Sequence, residues 1–483
     1  MSRLSAIVKR GLQVDPEITG VTADSRKVKP GALFAALPGS QADGAAFAAA
    51  AVQAGAAAVI ADRDLGLSVP TIVTKDPRRA YALAAAEFWG RQPQVCVAVT
   101  GTNGKTSVAN FCRQMFARAG KTSASMGTLG ITVSRPDGTH EQLTPPGLTT
   151  PDAGDVAEWL AKLATMGVSH FAMEASSHGV DQRRLDGVRL TAAGYLNLTQ
   201  DHLDYHGTMD AYRAAKLRLF DTLLPRGGTA VLNADSDAFP AFAASAVIAG
   251  QWVMTVGEKG QYLKLAQREL LPDGQRLRIQ CEGRAYDVRL PLAGAFQASN
   301  ALVAAGLCRA AGLTLEETFA GLEALTGAPG RLQRVGQGSR GGEAYVDYAH
   351  TPDGLETVLS ALRPHVRGRL IVVFGAGGDR DRTKRPLMGR IAGQLADVAI
   401  VTDDNPRSEA PEAIRAEVMV GCPDATEIGD RRQAIRAAAA MLRDGDILVV
   451  AGKGHEQGQI VGGVTHPFDD VSETAQALEL VHG

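Results

Sequence analysis

Val97-Ala98-Val99-Thr100-Gly101-Thr102-Asn103-Gly104-Lys105-Thr106-Ser107 is the stretch on which the reading of this chain turns. A short apolar run reaches a glycine-rich bend, and Lys105-Thr106 opens an amphipathic segment that closes at Gly120. That order spells strand, phosphate loop, helix. Backbone N–H groups at a helix N-terminus point at an anion, a lysine adds a point charge, and a threonine hydroxyl can meet a metal. In the commonest phosphate loop a glycine stands five residues before Gly104; here that position is Val99, and the nearest glycine is Gly101. Gly101, Thr102, Asn103, Gly104, Lys105, Thr106 and Ser107 are therefore candidate ATP contacts on a shortened loop.

At 483 residues the chain exceeds what one hydrophobic core organises, so roughly two to four domains are expected. Its 50 basic residues nearly balance 52 acidic ones, which argues against a broad basic face for nucleic acid. Cys96, Cys112, Cys281, Cys308 and Cys422 are scattered without a C-x-x-C pair, and three lie in apolar segments, as reduced core thiols do. The N-terminus lacks a sustained apolar region, and no apolar run is long enough to span a bilayer. A soluble cytoplasmic protein without membrane insertion is expected.

Strand-like and helical runs alternate along most of the chain, the pattern of α/β layers with parallel sheets. Gly90-Arg91-Gln92-Pro93 reads as a junction, and Gly327-Ala328-Pro329-Gly330 as the strongest linker. The expected segments are thus 1–90, 91–329 and 330–483. Within the second, Tyr262–Leu290 alternates β-type residues around Pro272-Asp273-Gly274, predicting a small antiparallel hairpin. The third carries strand candidates at Ala344–Tyr348, Leu370–Phe374, Val398–Thr402 and Ile447–Ala451.

Ligands in open α/β sheets gather at the carboxyl ends of strands. Phe171-Ala172-Met173 delivers Glu174-Ala175-Ser176-Ser177-His178, and Tyr195-Leu196-Asn197-Leu198 delivers Thr199 through His206. A carboxylate and imidazoles beside Thr106 point to a metal, and the phosphate loop favours magnesium over zinc. Lys216, on a helix from Asp210 to Phe220, reads on its own as a solvated charge. In the last segment, polar clusters at Asp347–Asp353, Gly375–Asp381, Asp403–Arg407 and Gly452–Glu456 each follow a strand. Four such ends on one segment look like one binding face.

The order Thr100–Thr106, Met173–His178, Asp201–His206, followed by Gly330-Arg331, Asp347–Asp353, Gly377–Asp381 and Gly452–Glu456, resembles the Mur ligases of peptidoglycan synthesis. The resemblance runs from Asp24 to Asp470. It implies three α/β domains: an N-terminal UDP-sugar-binding one, a central mononucleotide-binding one with a parallel sheet and a small antiparallel portion, and a C-terminal Rossmann-like one. It implies an ATP-dependent ligase acting on UDP-N-acetylmuramoyl-L-alanyl-D-glutamate. ATP phosphorylates the terminal carboxylate, the amino group of a diamino acid attacks the acyl phosphate, and ADP, phosphate and a tripeptide leave.

The same resemblance assigns residues. Lys105, Lys216 and His202 become catalytic. Thr106, Glu174, His202 and Lys216 become holders of Mg²⁺, the lysine as a carbamate formed with CO₂. Asn300, Arg331 and Asp347 join the ATP contacts. Ala23, Ser25, Ser40, Gln41, Ala42, Thr149, Thr150, Ser176, Gln182 and Arg184 match the UDP-sugar-peptide contacts. Arg380, Asp404, Asn405, Pro406, Arg407, Gly452 and Glu456 match an amino-acid pocket. Asp404-Asn405-Pro406-Arg407 resembles the signature of members that add meso-diaminopimelate, whose second carboxylate suits a planar, two-pronged arginine. Gln297 stands where relatives commonly have Asn, and Leu148 replaces a polar residue. A monomer is expected. The near alternatives are a lysine-adding Mur ligase and a folylpolyglutamate synthase-like ligase; the Asp24-Ser25-Arg26 and Asn405-Pro406-Arg407 clusters argue against the folate enzyme. A phosphate-loop motor or binding protein leaves the four clusters of the last segment unexplained.

Overall fold

The computed structural model describes residues 2–39, 43–144, 147–271 and 273–480. The chain forms two compact units: the residues up to Tyr262 together with Val303–Thr318, and Leu263–Leu302 together with the chain from Phe319 onward.

The first unit carries a four-stranded parallel sheet in the order Gly20–Thr22, Ala32–Ala35, Ala58–Ala61, Thr71–Val73. Its second sheet has a parallel centre, in the spatial order Ser123–Gly127, His170–Glu174, Val95–Thr100, Ala192–Tyr195, Thr229–Asn233, Trp252–Gly257. Gly130–Ser134 and His140–Thr144 extend it antiparallel. Val95–Thr100 is apolar almost throughout because helices cover both faces, and Cys96 through Val99 are buried. Val99 pairs with both Glu174 and Gly194. It belongs to the sheet, so the bend begins only at Gly101 and the phosphate loop is short. A Cβ on Gly101 would lie 2.8 Å from Leu196 Cβ, which is why a glycine stands there. From Val95–Thr100 the chain moves first to one side of the sheet and later to the other, which opens a crevice at the carboxyl ends of its central strands.

Three expectations need correction in detail. The strand expected at Tyr195–Leu198 is Ala192–Tyr195. Beyond it, Asn197 turns to the loop, its Oδ1 accepting from Asn103 N (2.9 Å) and its Nδ2 donating to Asn103 O (3.2 Å). The hairpin expected over Tyr262–Leu290 is a three-stranded meander of the second unit, Leu263–Leu271, Gly274–Cys281 and Arg284–Leu290. Its second turn is Glu282-Gly283, both at positive φ, a two-residue hairpin turn less conspicuous than Pro-Asp-Gly; Pro272 itself lies outside the described residues. The helix of Lys216 is Met209–Arg218 and passes into a π-helical turn at Leu219–Leu223 rather than running on to Phe220.

The second unit adds a six-stranded sheet in the order Gln333–Gln337, Glu343–Asp347, Ile447–Ala451, Leu370–Phe374, Val398–Val401, Thr426–Glu427, parallel apart from its first strand. All four expected strands form within a residue of their expected ends. Hydrophobic clusters lie on both faces, and the four polar clusters follow the carboxyl ends on one edge. All five cysteines are buried and free. No helix among the described residues is long and apolar enough to cross a membrane.

Under the second sheet Arg431 and Asp470 form an ion pair with both side chains 0% exposed. Arg431 Nε and Nη2 donate to the two Asp470 oxygens at 2.8 and 2.7 Å, and Nη2 also to Ala451 O at 3.0 Å. The pair ties the helices Arg431–Met441 and Asp470–Leu480 to the end of a strand. Removing one partner strands a buried charge, so Asp470→Asn should destabilise the protein by about 3–5 kcal/mol in urea unfolding. A loss below about 1 kcal/mol would show that the pair is dispensable to the fold.

Candidate active site

The crevice of the first unit is built around one carboxylate. Glu174 ends its strand 2% exposed. Its Oε2 accepts from Thr106 Oγ1 (3.0 Å) and Thr128 Oγ1 (3.4 Å), and its Oε1 from Thr128 N (2.8 Å). A Cβ on Gly127 would lie 1.9 Å from Glu174 Oε1, so only glycine leaves room for it. Thr149 Oγ1 lies 3.0 Å from Thr128 Oγ1. Thr150 Oγ1 donates to Glu174 O (2.9 Å) and lies 2.9 Å from Ser176 Oγ. Arg184 donates to Thr150 O (2.6 Å) and Gln182 Oε1 (2.7 Å). The first unit thus brings Thr106, Thr149, Thr150, Glu174, Ser176, Gln182 and Arg184 into one hydrogen-bonded group.

The phosphate loop carries the opposite charge. Gly104 caps the helix Lys105–Arg118 at φ 89°. Lys105 Nζ folds back onto the carbonyls of Gly101 (2.9 Å) and Thr102 (2.8 Å). Lys216 is not a solvated charge: it is 1% exposed, and its Nζ donates to the same Gly101 carbonyl at 2.8 Å. Burial, reinforced by the Lys105 charge, holds its pKa well below that of an ordinary lysine. Tyr212 lies beneath this ammonium, 4.5 Å from ring centroid to Nζ, with its hydroxyl 3.2 Å from Thr102 Oγ1.

The expected histidines do gather. His178 sits 4.9 Å from His202 and 5.5 Å from His206 between ring centroids. Burial first, then its neighbouring imidazoles, lowers the His178 pKa. His202 adopts φ 52° at the head of a short helix, with Nε2 3.4 Å from Asp201 Oδ2. Positive φ at a non-glycine residue is a strained conformation typical of functional loops. Among the described residues no three His, Cys, Asp or Glu side chains converge as a set able to hold a metal ion.

Ala23 and Ser25 line a separate cavity of about 1260 Å³, with Arg26, Lys27, Asp152 and Asp155 also on its wall. Asp24 caps the turn at Ser25 and binds Arg26 through both oxygens. Ser40, Gln41 and Ala42 lie outside the described residues, and Leu148 is 66% exposed.

In the second unit Asp347 accepts from Leu332 N (2.6 Å) and Ala349 N (2.8 Å), while burial raises its pKa to about 6. It fixes the turn carrying Arg331, whose guanidinium lies 4.9 Å from the Tyr348 ring centroid. Asn300 is buried and donates to Gln297 Oε1 at 3.0 Å. The Gln297 departure is thus spent on holding Asn300. Asn405 donates to Glu456 Oε2 (2.9 Å), and Arg407 Nη1 to Gly378 O (2.8 Å). Arg407 sits at φ 54°, its backbone fixed by Ile460 O and Gly462 N. Gly452 at φ 124° leaves space for Asp404 Oδ2, which a Cβ there would approach to 2.5 Å. Pro406 is buried beside them, and Arg380 is exposed, donating to Asp379 O at 3.2 Å.

Three residues at these sites escaped the sequence reading, Thr128, Asn197 and Tyr212, while Lys453 stood in the Gly452–Glu456 cluster without a role of its own. Thr128 and Asn197 follow strand ends, so the carboxyl-end rule could have found them. Nothing in the sequence marks Tyr212.

A shortened phosphate loop facing a strand-end carboxylate, joined in one chain to a second parallel sheet with its own polar crevice, defines a nucleotide-dependent ligase architecture. Residues 99–308 match the Mur ligase middle domain, 330–454 the Mur ligase glutamate ligase domain, and 17–88 the Mur ligase family catalytic domain. The chain belongs to the Mur ligase family. It is 68% identical over 479 residues to the UDP-N-acetylmuramoyl-L-alanyl-D-glutamate–2,6-diaminopimelate ligase of Caulobacter vibrioides, covering 99% of each chain. It is 54% identical over 467 residues to the ligase of the same name from Brucella melitensis, covering 96% of this chain and 94% of that one. A solved structure of a ligase of that name superposes with a TM-score of 0.78 at 35% identity, covering 100% of this chain and 99% of the other.

Lys105→Ala should lower ATP-dependent turnover by roughly two to three orders of magnitude, because backbone N–H groups cannot replace a charge on the developing transition state. Steady-state release of ADP checks this, and near-normal turnover would remove Lys105 from the mechanism.

Proposed function

We infer that the chain joins meso-2,6-diaminopimelate to UDP-N-acetylmuramoyl-L-alanyl-D-glutamate at the expense of ATP, through an acyl phosphate. The observation that carries this reading is its full-length similarity to ligases of that name. Within the reading, residues 1–90 bind the UDP-sugar, 91–329 bind ATP, and 330–483 bind the amino acid, in a cytoplasmic monomer.

The loop N–H groups and Lys105 bind the triphosphate, with the lysine exchanging the Gly101 and Thr102 carbonyls for phosphate oxygens. Asn300, Arg331 and Asp347 are proposed as further contacts to ATP. Thr149, Thr150, Ser176, Gln182 and Arg184 orient the dipeptide, whose terminal carboxylate attacks the γ-phosphate and displaces ADP. A positioned guanidinium such as Arg184 suits an anionic peptide end. The acyl phosphate then meets the substrate amine, and the tetrahedral adduct collapses to the amide with loss of phosphate.

Magnesium fits the first unit. Glu174 offers carboxylate oxygens already oriented by Thr106 and Thr128, the hard oxygen donors that cation takes. Thr106, Glu174, His202 and a carbamylated Lys216 would hold it, and when bound it neutralises charge on the transferring phosphoryl group. Carbamylation by CO₂ is supported by the burial of Lys216 and its lowered pKa, since the neutral amine is the form that reacts.

The choice of amino acid rests on the second unit. Arg407 has its backbone pinned and one guanidinium nitrogen on Gly378 O, which orients a planar donor set for the distal carboxylate. Glu456, steadied by Asn405, is placed for the distal amino group, with Arg380, Asp404, Pro406 and Gly452 framing the pocket. L-Lysine lacks that carboxylate and leaves the arginine without its partner.

Turnover against a panel of UDP-muramoyl-peptides and amino acids tests the reading. Meso-diaminopimelate should be far preferred over L-lysine, and Arg407→Ala should lose about 2–5 kcal/mol of transition-state binding for diaminopimelate while ATP binding survives. Equal use of L-lysine by the unmodified protein would overturn the substrate assignment.

A further inference from the structure

Lys453 has no role in the reading above. It is 0% exposed, yet it carries a charge within the second unit's polar crevice. Its Nζ donates to Asn405 Oδ1 at 2.8 Å and lies 3.5 Å from Glu456 Oε2. Ile460 N donates to the same Asn405 oxygen at 3.0 Å. Two donors on Oδ1 leave the carboxamide one orientation, with Nδ2 directed to Glu456 Oε2 at 2.9 Å. The reversed carboxamide would set its oxygen against the Glu456 carboxylate and its N–H₂ against an ammonium, pairing acceptor with acceptor and donor with donor.

The charges around it follow the same logic. Burial lowers the Lys453 pKa, while the Asp404, Glu456 and Asp470 carboxylates raise it and Arg431 opposes them. Asp404 Oδ2 is buried with no hydrogen-bond partner among the described residues, and Lys384 adds a third positive charge facing it.

We propose that Lys453 is the positioning residue of the amino-acid pocket: by fixing the Asn405 carboxamide it aims Glu456 at the substrate's distal ammonium group. The proposal rests on the assignment of Asn405 and Glu456 to that pocket. Lys453 acts through Asn405 and through its own 3.5 Å approach to Glu456, not by contact with the substrate. Its effect therefore falls on the binding of the amino acid and not on ATP or the UDP-dipeptide.

A double-mutant cycle on the full-length protein tests this, reading KM for each of the three substrates. Lys453→Met should raise KM for meso-diaminopimelate roughly ten- to hundredfold, the range for losing one hydrogen bond to a charged group, with KM for ATP and for the UDP-dipeptide unchanged. Asn405→Ala should raise the same constant, and adding Lys453→Met to it should raise it by less than Lys453→Met does alone. Independent, multiplying effects, or equal shifts for all three substrates, would overturn the positioning role. If Asn405→Ala leaves the diaminopimelate KM untouched, the pocket assignment itself fails, a result distinct from the other two. Lys453→Gln restores an N–H to Asn405 without the charge, and serves also if the Met variant does not fold. Its KM should stay within about threefold of the unmodified protein; a rise as large as that expected for Met would contradict a role exerted through this bond.

Discussion

Two ammonium groups, Lys105 and Lys216, donate to one carbonyl oxygen, that of Gly101, at 2.9 and 2.8 Å. Like charges held this close repel, and the repulsion grows as the dielectric falls toward the interior. The first unit holds that arrangement by its covalent plan. Lys105 opens the helix after the loop, and Lys216 is locked on a second helix whose next turn is π-helical. Gly101 has no side chain to keep Leu196 and Asn197 away, so the two lysines and the loop are drawn into one small volume. A site built this way has a standing demand for negative charge. In the proposed reading a triphosphate satisfies part of it, and carbamylation of Lys216 satisfies more.

The second unit solves a different electrostatic problem. Several of its arginines are matched by carboxylates, and its loops are braced through them. Arg385 has a fully buried side chain, yet it bonds Glu409, Glu417 and the Gly377 carbonyl. Asp379, at positive φ, reaches Ser408 at 2.6 Å. These links tie the loop after Leu370–Phe374 to the loop after Val398–Val401, which carry Arg380 and Arg407 respectively. A pocket that must measure the distance between a carboxylate and an ammonium needs rigid walls, and cross-bracing supplies them. The phosphate loop has the opposite quality in the proposed reading, in which Lys105 exchanges its carbonyls for phosphate oxygens.

The sequence announces what repeats along a strand or sits at its end. The buried strands of both units are legible because parallel sheets covered on both faces are nearly continuous apolar runs. Glu174, the phosphate loop and the clusters of the second unit are legible because ligand-binding residues follow the carboxyl ends of such strands. What stays hidden depends on partners distant in the chain. Lys216 looks like any helical lysine until Gly101, more than a hundred residues earlier, is folded against it. Thr128, Asn197 and Lys453 are ordinary polar residues whose meaning comes from the group each one holds. The meander was underestimated because Glu282-Gly283 makes a tight turn without a proline to mark it.

The central claim is that Lys216 functions as an anion rather than as the ammonium its sequence context suggests. Carbon-13 NMR of the protein equilibrated with ¹³C-bicarbonate, alongside Lys216→Met, tests it most directly. The account predicts a carbamate resonance in the unmodified protein that is absent from the variant and fades, together with ligation, as CO₂ is withdrawn. Full activity in CO₂-depleted buffer with no such resonance would contradict it.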